Sequence, residues 1–141
     1  MLDSTIASAT FLWPVRVYYE DTDLAGLVYY ANYLRFMERA RTEWLRAFGF
    51  EQTELREQWG IVFAVRSVTL DYLRPAVFND ELTVTVESVT ARGSRIRLAQ
   101  RVLRAADVLT VGRIEVACLD MRSLRPARIP QSVLQKIGSH A

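Results

Sequence analysis

Between Tyr30 and Phe48 the apolar residues recur at spacings of three and four, and no other stretch of the chain sustains that period. Tyr33, Met37, Ala40, Trp44 and Phe48 form one stripe, with Leu34 and Leu45 beside it. Arg35, Glu38, Arg39, Glu43 and Arg46 take the other side, where Arg39 and Glu43 stand one turn apart as an ion-pair candidate. Gly49 follows, a residue free to adopt positive φ and so to end the helix. At 1.5 Å per residue the segment makes a helix about 28 Å long. A helix with one apolar face must lay that face on something, and the rest of the chain supplies a sheet.

Val15, Val17 and Tyr19 alternate with Arg16, Tyr18 and Glu20, which predicts a half-buried strand over Val15–Glu20. Residues 21–29, with Asp-Thr-Asp and then Ala25-Gly26, read as a loop. Everything after Ile61 reads as strand. Val62, Ala64, Val68, Leu70 and Tyr72 are expected on one face of residues 61–73, with Pro75 as the stop. Leu82, Val84 and Val86 alternate with polar residues, and Ile96, Leu98 and Val102 follow a turn. Taking Ala91-Arg92-Gly93 as that turn, with Gly93 in the left-handed position, sets Leu82 opposite Val102 and Val86 opposite Leu98. A second turn around Ala105-Ala106-Asp107 sets Leu98 opposite Ile114 and Ile96 opposite Val116. Arg97 then lies between Glu87 and Glu115 on the far face, a structural charge ladder. The fold class expected is α+β: one long helix against a five-stranded antiparallel sheet, in a single domain over residues 1–141 with its core at about 15–130.

Absences narrow the chemistry. The one histidine is His140, second from the end of the sequence, so Ser–His–Asp and Cys–His catalysis lack an internal base. A histidine–cysteine metal site lacks its ligands, and no metal is expected. The six glycines stand apart, which excludes a glycine-rich phosphate loop. The lone Cys118 sits in an apolar run and reads as a buried, inert thiol. Lys136 is the sole lysine among eighteen basic residues, so the chain leans on arginine for its positive charge. That excess fits either a phosphate-bearing partner or a compositional bias. With a net charge of +2 and arginines spread along the chain, nucleic acid is not an expected partner. No basic residue precedes the mildly apolar start and no run reaches membrane-spanning length, so the expected location is the cytoplasm.

What remains is carboxylate chemistry. Asp21, Thr22 and Asp23 lie just before the long helix, whose N-terminus offers unpaired N–H groups and a partial positive charge. Such donors can stabilise an oxyanion while a nearby carboxylate acts as nucleophile or general base. The same aspartates serve equally well as helix caps.

The segment from Val17 to Glu43, with Asp21-Thr22-Asp23-Leu24-Ala25-Gly26, Tyr30-Ala31-Asn32-Tyr33 and Glu38-Arg39-Ala40-Arg41-Thr42-Glu43, resembles the signature of the 4-hydroxybenzoyl-CoA thioesterase family. Within it the chain is most similar to the short acyl-CoA thioesterases encoded with the bacterial Tol–Pal system. Val65-Arg66, Tyr72, Pro75-Ala76 and Asp80 extend the similarity, which runs from about Val15 to Pro130. The resemblance implies a hotdog fold, in which the sheet wraps the helix and two subunits share a continuous sheet. It implies active sites at that dimer interface, and tetramers built from the dimers. The catalytic aspartate falls on Asp23 and the oxyanion-binding backbone N–H on Tyr30. Gly26, Tyr29, Tyr33 and Arg66 fall on substrate-binding positions. No cofactor is implied, since CoA enters as part of the acyl-CoA substrate. Arg66, Arg92, Arg122, Arg125 and Arg128 are candidates for its phosphates. The tyrosines and the segment from Trp59 to Phe63 either line an acyl pocket or pack the core. In one respect the chain departs from the pattern: Tol–Pal-associated members usually carry histidine where this sequence has Tyr30. A hydratase of the same fold would need an internal histidine. The alternative of another class is a non-catalytic module that binds acyl-CoA or acyl carrier protein.

Overall fold

The computed structural model describes residues 10–138, so His140 lies outside the described residues. Five strands form one antiparallel sheet: β1 (Phe11–Arg16), β2 (Ile61–Tyr72), β3 (Glu81–Arg92), β4 (Arg95–Arg104) and β5 (Asp107–Asp120), in the order β1-β3-β4-β5-β2. The long helix α1 (Asn32–Ala47) lies on one face. A one-turn helix (Gln52–Glu54) and a π-helical turn (Leu55–Trp59) lead from it to β2. A second helix, α2 (Gln131–Gly138), buries Val133 and Ile137 and packs against β3. The expectation that everything beyond Ile61 is strand fails there. Eight residues are too few for helical periodicity to stand out, and the segment owes its order to the apolar surface it covers.

The stripe of α1 is buried as its period requires. Tyr33, Met37, Ala40, Trp44 and Leu45 are all in the core, joined by Phe36. Leu34 is not, and stands 39% exposed. The helix begins at Asn32 rather than Tyr30, and Gly49 closes it at φ +89°. Glu43 pairs with Arg46 at 2.6 Å and not with Arg39. The helix settles where the sheet has a depression. Gly112 of β5 has no side chain, and a Cβ there would stand 3.1 Å from Met37 Cε and 2.8 Å from Leu70 Cδ2. Beside that seat, fully buried Gln100 of β4 donates from Nε2 to the Met37 carbonyl at 3.1 Å and accepts from Arg41 at 2.9 Å.

Strand registers agree with the sequence between β4 and β5 and depart from it between β3 and β4, where the turn lies elsewhere, and in β2, where a bulge intervenes. Between β4 and β5, Leu98 faces Ile114, Ile96 faces Val116 and Arg97 faces Glu115, as expected. Between β3 and β4 the loop is the two residues Gly93 and Ser94, and Val84 rather than Leu82 faces Val102. Gly93 does take the left-handed conformation. That turn sets Arg97 opposite Thr90, and a bulge at Ser88–Val89 then brings Glu87 opposite Ala99, where it binds Arg101 at 2.7 Å. In β2 a bulge at Arg66 shifts the alternation, because Val65 faces Val116 while Ser67 faces Glu115. Val68, Leu70 and Tyr72 therefore share a face with Phe63 and Val65, not with Val62 and Ala64. The first strand also moves upstream of its expected place. Residues 17–18 leave the ladder, Val17 donating to the Asp80 carbonyl, and Tyr19–Asp21 wind into a 3-10 turn.

Among the described residues no helix is long and apolar enough to cross a membrane. Cys118 is fully buried in β5, and burial pushes its thiol up to about 11. Only the thiolate is nucleophilic, so at pH 8 about one molecule in a thousand carries the reactive form. Iodoacetamide at that pH should leave native Cys118 unlabelled and modify it fully once the chain is unfolded in guanidinium. Rapid native labelling would show the thiol to be accessible.

Candidate active site

The two aspartates of the loop before α1 have opposite environments. Asp21 is 8% exposed, and its Oδ2 accepts from the Tyr18 amide at 2.8 Å. Its carbonyl takes two more bonds, from the Tyr29 amide at 2.9 Å and from Asn32 Nδ2 at 2.9 Å. Asp21 thus ties the loop to the first turn of α1. Asp23 is exposed. Its Oδ1 accepts from the amides of Ala25 at 2.9 Å and Leu27 at 3.3 Å, and its Oδ2 accepts no hydrogen bond among the described residues. One carboxylate oxygen is fixed by the backbone and the other is turned free. The loop that fixes it is closed by Asp23 N–H to the Leu27 carbonyl at 2.8 Å and by Gly26 N–H to the Asp23 carbonyl at 3.0 Å. Gly26 sits at φ +79°, where a side chain would strain the backbone.

Beyond the loop, four tyrosines gather at the N-terminal end of α1. Tyr29 and Tyr30 are exposed, with ring centroids 4.7 Å apart. Tyr72 donates its hydroxyl to the Tyr30 carbonyl at 3.1 Å and packs its ring 5.4 Å from Tyr33. The Tyr30 amide finds no acceptor among the described residues, whereas the Tyr29 amide is spent on Asp21. Tyr33 is 3% exposed and its hydroxyl accepts from the Ala76 amide at 3.0 Å, so it supports the site from within the core. Burial pushes the Tyr33 and Tyr72 phenols above their ordinary range, and hydrogen bonding to the Tyr30 side chain does the same for Tyr29.

Arg66 is not part of this cluster within one chain. It lies at the β2 bulge, six residues before Tyr72 and so about 20 Å along the strand. Its Nε stands 3.6 Å from Glu115, which Arg95 and Arg97 approach to 2.9 and 2.7 Å. Hydrogen bonding to Arg97 holds the Glu115 carboxyl below its ordinary range.

A separate cavity of about 250 Å³ opens between the second half of α1 and the sheet. Phe63, Val65 and Leu98 give it apolar walls, and Glu38, Arg41 and Thr42 line it from the helix. Sequence reasoning picked out Phe63 but not the arginine, because nothing local separates Arg41 from its neighbours Arg35 and Arg39.

A family model described as the thioesterase-like superfamily matches residues 17–137. The chain belongs to this family. It is 42% identical over 123 residues to the acyl-CoA thioesterase YbgC of Haemophilus influenzae, covering 87% of this chain and 90% of that one. The acyl-CoA thioester hydrolase YbgC of Escherichia coli O6:H1 is 41% identical over 125 residues, with 88% and 92% covered. A probable thioesterase from Bartonella henselae, solved as a crystal structure, superposes with a TM-score of 0.80 at 33% identity over 86% of this chain and 99% of that one. These likenesses bear out the resemblance to the Tol–Pal-associated group and identify the helix-on-sheet arrangement as the hotdog.

The geometry of this thioesterase-like loop separates a structural aspartate from an available one, and stability measurements should show it. Asp21→Ala removes the buried acceptor of the Tyr18 amide and should lower unfolding stability by about 1–2 kcal/mol. Asp23→Ala loses only exposed loop bonds and should cost less, both read from urea denaturation midpoints. The reverse order would mean that Asp23 is the aspartate that holds the loop.

Proposed function

We propose that this protein hydrolyses acyl-CoA thioesters, with the Asp23 carboxylate as nucleophile or general base and the Tyr30 amide as oxyanion donor. Membership of the thioesterase-like family makes it a thioester hydrolase, and relatives at 41–42% identity carry acyl-CoA thioesterase names. The observation that carries the residue roles is that, among the described residues, an exposed carboxylate oxygen without a partner and an amide without an acceptor stand at one end of α1. The thioester carbonyl oxygen accepts from Tyr30 N–H, which is worth most as negative charge grows there. Asp23 either adds to the carbonyl carbon itself or takes a proton from the water that does. The C–S bond breaks, and CoA leaves as thiolate and regains a proton; where Asp23 is the nucleophile a water then cleaves the Asp23–acyl anhydride, and by either route the acyl group departs as a carboxylate. No step calls on a metal or prosthetic group, and the reading is of an enzyme acting in the cytoplasm. Because Tyr30 acts through its backbone, its replacement of the usual histidine leaves the donor in place.

The working unit in this proposal is a dimer joined through β2. That edge strand is twelve residues long and exposes Val65, Val68 and Tyr72. The opposite edge, β1, is half as long and interrupted by Pro14. Such dimers pair into tetramers in the family the chain resembles. Sedimentation of the 16.2 kDa chain at micromolar concentration should give two or four copies. Placing a charge at the edge with Val68→Arg should shift it toward monomer and reduce turnover; a stable, fully active wild-type monomer would overturn the assembly.

Free-thiol release from a panel of acyl-CoAs tests the activity. Asp23→Asn keeps size and most hydrogen bonding while removing charge, so turnover should fall by about a hundredfold or more with folding intact. Asp21→Asn, two residues away, should retain far more activity. Hydrolysis by Asp23→Asn within about threefold of wild type would remove the role assigned to it. Binding of every acyl-CoA without thiol release by the wild type would instead favour a binding module, for acyl-CoA or for acyl carrier protein.

A further inference from the structure

Arg41 is the exception among the arginines that the fold draws inward. Arg101, with 12% of its side chain exposed, meets Glu87 at 2.7 Å, and half-buried Arg104 meets Asp80 at 2.8 Å. Arg41 is half-buried and lines the cavity under α1, yet its only partner among the described residues is the neutral Gln100. A guanidinium carries five donors, and one is used. Burial holds Arg41 below the ordinary arginine range, the sign of a cation short of compensation. Glu38 lies on the same rim one turn earlier, exposed to solvent, and makes no ion pair with it. Its field favours the Arg41 charge without neutralising it at contact.

Thr42 and Gln52 add polar groups to the lining, and Phe63, Val65, Trp44, Leu98 and Val116 give the cavity its apolar wall. A volume of about 250 Å³, at about 30 Å³ for a liquid water, holds on the order of eight heavy atoms. A pocket with apolar walls and one under-compensated cation suits a short methylene chain ending in an anion. The pocket is remote from the Tyr30 amide of its own chain, since eleven helical residues span about 16 Å. Pairing β2 with a second copy, antiparallel and centred near Val68, changes this. Residues before the centre then lie opposite residues after it in the copy. Phe63 and Val65 come beside the second copy's Tyr72, whose hydroxyl holds the carbonyl of Tyr30.

We propose that this cavity receives the acyl part of the substrate and that Arg41 selects short acyl groups ending in a carboxylate, of succinyl or glutaryl size. The inference rests on the hydrolase and dimer reading above and adds the substrate class. Arg41 would bind the distal carboxylate while the thioester, at the other end of the chain, meets Asp23 and Tyr30 of the partner subunit.

The test compares kcat/KM for glutaryl-CoA and hexanoyl-CoA, acyl groups of similar size that differ in the terminal charge. Wild type should favour glutaryl-CoA. Arg41→Met should lower the glutaryl-to-hexanoyl ratio at least tenfold, and Arg41→Lys should recover part of it. Glu38→Gln, which removes the nearby negative charge, should raise the ratio. Should Arg41 only brace Gln100 and the helix, Arg41→Met would depress both rates alike and leave the ratio unmoved, which overturns the proposal. Wild-type preference for hexanoyl-CoA overturns it too. If neither thioester is cleaved, the hydrolase reading falls by itself, and thermal shifts with the same two ligands still judge the pocket. A larger shift with glutaryl-CoA that disappears in Arg41→Met supports Arg41 recognition; equal shifts refute it.

Discussion

The seat of Met37 over Gly112 sets where everything else can stand. An α-helix lying on a sheet is held off by the side chains between them, and at Gly112 β5 offers none. Met37, unbranched and adaptable, fills that depression. Gln100 then grips the Met37 carbonyl from β4, which fixes the helix along its axis as well as toward the sheet. With the middle of α1 pinned, its N-terminus must fall near the end of β2, and Tyr72 closes the gap by bonding the Tyr30 carbonyl. The cavity around Arg41 lies on the other side of the same contact, bordered by helix and sheet.

The loop before the helix shows how two like residues acquire different work. Asp21 and Asp23 are separated by one threonine and carry the same charge. Asp21 turns inward and spends both its carboxylate and its carbonyl on the backbone and Asn32. A carboxylate so engaged has little left for a substrate. Asp23 uses one oxygen to organise its own loop, while the other accepts no hydrogen bond among the described residues. The asymmetry of the sheet edges works in the same direction. Pro14 makes β1 a poor template for pairing, while the long apolar β2 edge leaves a free ladder next to the tyrosine cluster.

Legibility in the sequence followed the range of the interaction. The α1 stripe was readable because burial on one face imposes its period on consecutive turns. The β4–β5 register was readable because a short turn leaves little freedom for the residues beyond it, and the burial of Cys118 followed from the apolar run around it. The β3–β4 register was missed by two residues because the turn falls at Gly93-Ser94 rather than Ala91-Arg92-Gly93, a displacement of three that the extra residue at Ser88–Val89 takes back by one. The bulge at Arg66 hid the true face of Val68, Leu70 and Tyr72, since nothing in the alternation marks an extra residue.

By itself, then, the sequence determined the long helix, the strands that follow it and the kind of chemistry available to them. A single amphipathic helix amid strands leaves few architectures, and a chain with no internal histidine is left with its carboxylates. The tertiary structure decided which members of each class matter. It turned Asp21 in and Asp23 out, buried Tyr33 while exposing Tyr30, and set Arg101 against a carboxylate but Arg41 against the neutral Gln100. Such choices depend on contacts between residues far apart in the chain, and a local pattern of residue types carries no record of them.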